Sequence, residues 1–151
     1  MASGAFTSAG TTIGIVSDAP STYDPTGFEA LTFELIGEVT DLGEFGREYS
    51  LVTHNPLGDR QTVKRKGSYN DGSIAMTVAR VPSDAGQTLL QDALDSDDNY
   101  SFNVTLQDGT ELYFAAQVMS YTSNVGSVDQ ITTASVTIEI TDEIVEVAPS
   151  P

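Results

Sequence analysis

The sequence predicts a mainly β protein, an antiparallel β-sandwich or barrel with one flanking α-helix. Three observations lead there. Apolar and polar residues alternate through the last third of the chain, the period of a half-buried strand. An Asp108-Gly109 pair separates two such runs, and hairpin turns favour residues that tolerate φ > 0. Only the stretch from Asp84 to Leu94 combines a helical period with a helix-start signal. Strands in that number with a single helix bury one sheet face against the helix or a second layer.

From the N-terminus, Thr11 to Val16 alternates, with Ile13 and Ile15 on one face, and is expected to be a strand. Asp18 to Gly27 holds Pro20, Ser21, Pro25 and Gly27, so it reads as a loop. Leu31, Phe33 and Leu35, with Thr32 and Glu34 between them, favour a strand within Phe28 to Val39, and Gly37 and Gly43 oppose a long helix. Asp41 to Gly46 is a turn, and Arg47 to Thr53 is extended. Asn55-Pro56 and Gly58-Asp59 mark a loop, after which Gln61 to Lys66 is again extended. Asn70-Asp71-Gly72 is a turn leading into Ser73–Val81, where Ile74, Met76 and Val78 share a face.

The helix follows Pro82. Asp84 (or Ser83) can cap it, and Gln87 stands three residues after Asp84 as in a capping box. Ala85, Leu89, Leu90, Ala93 and Leu94 are expected on its inner face. Each buried Leu would contribute roughly 1.5–3 kcal/mol. Then come three strands: Tyr100 to Leu106, Thr110 to Tyr121, and Gln130 to Thr141. Their inward sets are Tyr100, Phe102, Val104 and Leu106; then Leu112, Phe114, Ala116 and Val118; then Ala134, Val136, Ile138 and Ile140. No internal repeat or low-complexity tract is found. The organisation expected is one domain over 1–151, with residues 1–27 as an N-terminal arm and loop and 143–151 as a C-terminal tail.

Composition removes several function classes. The chain has 151 residues, 6 Lys and Arg against 22 Asp and Glu, a net charge of −16, one His and no Cys or Trp. A chain so acidic is a poor candidate for gripping nucleic acid or anionic lipid, because phosphate neutralisation needs clustered cations. Without cysteine there is no disulfide, thiolate metal site or cysteine nucleophile. The first residues carry no positive n-region, and no run approaches the roughly 20 apolar residues of a membrane span. The expected product is soluble and carries no visible export signal.

Catalytic constellations are missing as well. His54 is the lone histidine, beside an Asn-Pro turn, and no Gly-x-Ser-x-Gly elbow or Gly-rich phosphate cradle accompanies it. Asp95, Asp97 and Asp98 lack the Gly and distant Glu of a calcium loop. No enzyme activity, cofactor or metal is therefore expected.

The charge is unevenly spread. Residues 1–59 carry a net −8 and residues 81–151 a net −12, whereas residues 60–80 carry +4, from Arg60, Lys64, Arg65, Lys66 and Arg80 against Asp71. Such a basic island suits either the protein's own carboxylates or an acidic surface on another copy.

The order of these elements resembles the major tail tube proteins of long, flexible-tailed bacteriophages. The resemblance rests on 33–39 (FELIGEV), 41–46 (DLGEFG), 66–76 (KGSYNDGSIAM), the helix from Asp84, the Asp108-Gly109 hairpin and the two long strands ending near Asp142. It covers roughly residues 28–142. It implies a tail-tube-like sandwich whose inner strands join those of neighbours in a hexameric ring. Such rings stack into a tube that conducts DNA during ejection. The implied partners are other copies of the chain and the tail tip, tape measure and tail terminator proteins. DNA passes without specific binding, no membrane is involved, and the location is the virion tail after synthesis in the host cytoplasm.

Three expectations follow for the residues. Asp41 to Lys66 reaches another subunit or ring, with Arg47, Arg60, Lys64, Arg65 and Lys66 as contact residues. Some of the excess carboxylates face the lumen, though the sequence does not say which. Met1–Asp18 or Glu143–Pro151, or both, lie against neighbouring subunits. The competing readings are a monomeric β-sandwich recognition module for carbohydrate or a receptor, a secretion-system tube subunit and, last, a hydrolase. The absence of Trp weakens the first, since such sites display exposed aromatic platforms.

Overall fold

The computed structural model describes Ala5 and residues 7–149. Ten strands and two helices form there: β1 (Thr12–Val16), α1 (Pro25–Glu29), β2 (Glu34–Leu35), β3 (Val39–Asp41), β4 (Glu48–His54), β5 (Val63–Asn70), β6 (Ser73–Ala79), α2 (Ala85–Asp95), β7 (Tyr100–Thr105), β8 (Glu111–Asn124), β9 (Thr133–Ile140) and β10 (Val145–Val147). Eight strands make one antiparallel sheet in the order β2-β1-β7-β8-β9-β6-β3, with β10 also paired to β8. It curls into a half-barrel. The other two strands, β4 and β5, pair only with each other.

The inward sets expected from alternation are the core. Ile13, Ile15, Ile74, Met76, Val78, Phe102, Val104, Phe114, Ala116, Val136 and Ile138 are all buried in one cluster. Phe102 and Phe114 are opposite each other on β7 and β8 and stack with centroids 5.5 Å apart, a geometry that adds to their area burial. The opposite face is covered locally by α1: Phe28 stacks on Tyr113 at 5.5 Å. There burial first, and a hydrogen bond to Glu111 second, push the Tyr113 phenol pKa well up.

Several details depart from expectation. Phe28–Val39 is not one strand. Phe28 belongs to the single-turn helix α1, capped by Asp24, and the remainder gives only β2 and β3. Glu38, at φ +59, breaks the run between them. Leu35, expected inside with Leu31 and Phe33, is 60% exposed. The Asp108-Gly109 turn is shifted by one residue. Gly109 N donates to Leu106 O, so Gln107 and Asp108 are the central pair and Gly109 (φ +97) takes the left-handed position after them. That pattern is the three-residue hairpin with a bulge.

A bulge in β8 explains why its alternation fails after Val118. Val118 pairs with Ile138 but Ser120 with Thr137, so Met119 is the extra residue and is left exposed. Within residues 1–27, β1 sits between β2 and β7. Within 143–151, β10 runs on from β9 along the same edge of β8, opposite β7.

Helix α2 turns most of the expected face inward, Leu90 and Ala93 in the core with Leu89 packed against it, but the buried face is shifted towards Gly86 and Gln87. Gly86, Gln87, Leu90 and Ala93 are buried, whereas Ala85 and Leu94 are exposed. Asp84 accepts from Gln87 N at 3.0 Å, as a cap should. Gln87 does not return the bond to Asp84. Its amide donates to Gly37 O (3.0 Å) and Ala79 O (2.9 Å) and accepts from Val81 N (2.9 Å). The helix start is thus tied to the end of β6 and to the segment before β3.

Gly86 permits this approach, because a Cβ there would lie 2.4 Å from Leu35 O and 2.6 Å from Ile36 Cα. Helix propensity alone favours Ala over Gly by roughly 0.5–1 kcal/mol. The clash is with backbone on both counts, so Gly86→Ala is expected to destabilise by about 1–3 kcal/mol instead. Urea denaturation checks the sign.

Candidate assembly surfaces

The basic island folds as the β4–β5 hairpin. Strand β4 is exposed at every residue, and only Val63 and Gly67 of β5 are half-buried. Its loop is closed by its own polar groups: Thr62 donates to Asn55 at 2.8 Å, and Gln61 N to Asp59 at 3.1 Å. The cross-strand register sorts the side chains. Leu51 and Lys66, with Thr53 and Lys64, lie on one face. Val52 and Arg65, with His54 and Val63, lie on the other. Both faces therefore mix apolar surface with positive charge.

The structure brings Arg60, Lys64, Arg65 and Lys66 together on this one exposed element, Arg60 in its loop. Among the described residues none of the four forms an ion pair. Lys66 Nζ instead lies 4.8 Å over the Tyr49 ring, and Tyr49 pairs with Tyr69 across the strands at 5.2 Å. Arg47 is placed differently, at the root of the hairpin. Its guanidinium meets Glu143 and lies 3.6 Å from Asp71 and 4.3 Å over Tyr69. The Glu143 hydrogen bond, then that to Tyr49, raises its already high pKa, so it is a permanent cation.

A second surface comes from strand ends. Strand β7 stops opposite Ala116, whereas β8 continues with β9 to Asn124. Among the described residues, 117–124 consequently have a strand on one edge only, and they contain no charged residue. Unpaired edges without charge or proline invite another strand. Val125, Val128 and Ile131, at 66%, 98% and 76% exposure, form the apolar tip beyond. Alternation could not reveal this edge, because strand length says nothing about where a neighbour ends.

His54 is exposed on the hairpin, and among the described residues no three His, Asp or Glu side chains are grouped to hold a metal. No described helix is long and apolar enough to cross a membrane.

A family model described as lambda phage tail tube protein, TTP, matches residues 32–145. No curated protein sequence matches the chain. Among solved structures, a chain of the anti-feeding prophage baseplate superposes with TM-score 0.73 at 9% identity, over all of both chains. A chain from the sheath/tube terminator of the extracellular contractile injection system PVC gives 0.68 at 11% identity, covering 98% of this chain and 100% of that one. The SPP1 tail tube gives 0.64 at 14%, covering 93% and 78%. At those identities the likeness is one of fold.

Proposed function

The chain belongs to the lambda phage tail tube protein family, and from that premise we propose that its copies form hexameric rings which stack into the tube that conducts DNA out of the virion. It is a structural subunit, not one built around a reactive site. The observation that carries the assembly reading is the β4–β5 hairpin, covered on neither face. A lone two-stranded hairpin is marginal in water, and an identical neighbour can supply the missing partner surface. Its four cations, none of them in an ion pair among the described residues, suit a second copy, whose remaining charge is strongly acidic. The open edge of β8 offers the lateral counterpart, a strand-to-strand joint within a ring.

The same charge balance supports passage of DNA. Six copies at −16 would give a ring −96 formal charges. At physiological salt fixed charge acts over only about 8 Å, so the carboxylates lining a channel decide whether the wall repels phosphate. The tail tip, tape measure and tail terminator proteins would meet the tube in the virion tail, after synthesis in the host cytoplasm.

Electron microscopy of the concentrated, purified chain tests the reading. Hollow tubes with sixfold rings are expected. Dispersed monomers across all concentrations and salts tried would overturn it.

A further inference from the structure

We propose that Arg47 is a latch: it holds the hairpin at one angle to the sheet and ties that angle to the docking of the C-terminal strand β10. The consequence for assembly rests on the reading of the hairpin as a contact element, but the latch is a property of the free subunit. The chain enters the hairpin through Gly46 and leaves it through Gly72. Both have positive φ, +148 and +89, and a Cβ on Gly72 would lie 3.3 Å from Gly46 O. Two side-by-side glycines in conformations that other residues avoid form a natural pivot.

Little else joins the two sides of that pivot. At the pivot itself, Gly46 N donates to Asp71 O at 3.2 Å, closing the two legs on each other, and Ile140 N of the sheet donates to Gly72 O at 3.1 Å. Past it, the side chain of Arg47 makes the bridge. Towards the hairpin it lies over the Tyr69 ring and reaches the Tyr49 hydroxyl at 3.5 Å. On the hairpin's own side it also faces the buried carboxylate of Asp71, just before Gly72, and across the pivot it pairs with Glu143. Glu143 lies in the short link between β9 and β10, and β10 holds to β8 through three residues only, Val145, Glu146 and Val147.

One guanidinium therefore touches both hairpin strands, the turn after β5 and the link before β10. A swing of the hairpin withdraws the partner of Glu143 and loosens β10. Release of β10 in turn frees the hairpin. Exposed ion pairs are weak and screened by salt, so the contact is suited to opening when a neighbour engages the hairpin.

The test uses the full-length chain at a concentration where light scattering shows monomer. Because the sequence has no cysteine, spin labels can be placed only where wanted, through Thr53→Cys on the hairpin and Ser135→Cys on β9. Pulsed electron resonance is expected to give one narrow distance distribution, broadened at least twofold by Arg47→Met, by Glu143→Gln or by 0.5 M salt (roughly a 4 Å screening length). Amide exchange at Val145–Val147 should accelerate about two- to fivefold in Arg47→Met, with Val136–Ile138 of β9 unchanged as the control for general unfolding. An unchanged distribution overturns the latch. A broadened one with unaltered β10 exchange overturns the coupling. If both shift as expected while no variant or parent forms tubes, the latch stands and the assembly reading falls.

Discussion

Replacing Lys64, Arg65 and Lys66 together by glutamate is expected to abolish tube formation while leaving a folded monomer. The three cations sit on the exposed hairpin without an ion pair among the described residues, so the fold loses only the exposed contacts of Lys66 over Tyr49 and of Arg65 to Lys64 O. Surface substitutions of this kind change stability by about 0.5 kcal/mol or less each. The subunit charge would pass from −16 to −22, and the element meeting an acidic neighbour would become acidic itself. Because Lys64 and Lys66 lie on one face and Arg65 on the other, reversing one face alone should weaken assembly less than reversing both. Sedimentation and electron microscopy report the polymer, and a thermal melt reports the fold. Unaltered tubes from the triple variant would remove the hairpin from the assembly interface.

Gln87→Leu is expected to be the most damaging single substitution among polar positions, costing about 3 kcal/mol or more. Gln87 is 2% exposed and serves Gly37 O, Ala79 O and Val81 N at once. Leucine matches its bulk but leaves three backbone groups without a partner, and each buried unsatisfied group costs roughly 1–3 kcal/mol. Against a total stability of about 5–15 kcal/mol for a domain, that is a large share. Equilibrium urea denaturation measures it. A loss below about 1 kcal/mol would mean that water replaces the amide.

The hairpin cations and Gln87 differ in how far a sequence discloses them. The strands β6 to β9 were legible because each has one face in the core, and burial of one face imposes strict alternation. The hairpin cations were legible as a charge run. Segment 28–39 was not, because its shape comes from contacts distant in sequence. Gly37 N is held by Asp84 at 3.1 Å, Gly14 lies under Phe33, and Ile36 N bonds to Ile13 O. Leu89, Leu90 and Ala93 mark the inner side of α2, but its other buried positions carry no hydrophobic signal: a close backbone approach selects Gly86 and a polar bridge selects Gln87. Arg47 stood apart from the basic run in sequence, yet nothing in its spacing pointed to Glu143, 96 residues later. Strand β10, three residues long, is too short to show a period.

The sheet order also sets a timetable for synthesis. Strand β1 is made early, but its long partner is β7, with Val16 opposite Ser101, about 85 residues further along. At roughly 5–20 residues per second of translation, β1 waits some 4–17 s before that partner exists, and only β2 is available sooner. Pairings this distant make for slow, late closure. A nascent chain therefore carries the apolar face of Ile13 and Ile15 uncovered by β7 for that interval. A helper protein that shields this segment during synthesis is expected to raise the yield of competent subunits without altering the finished fold.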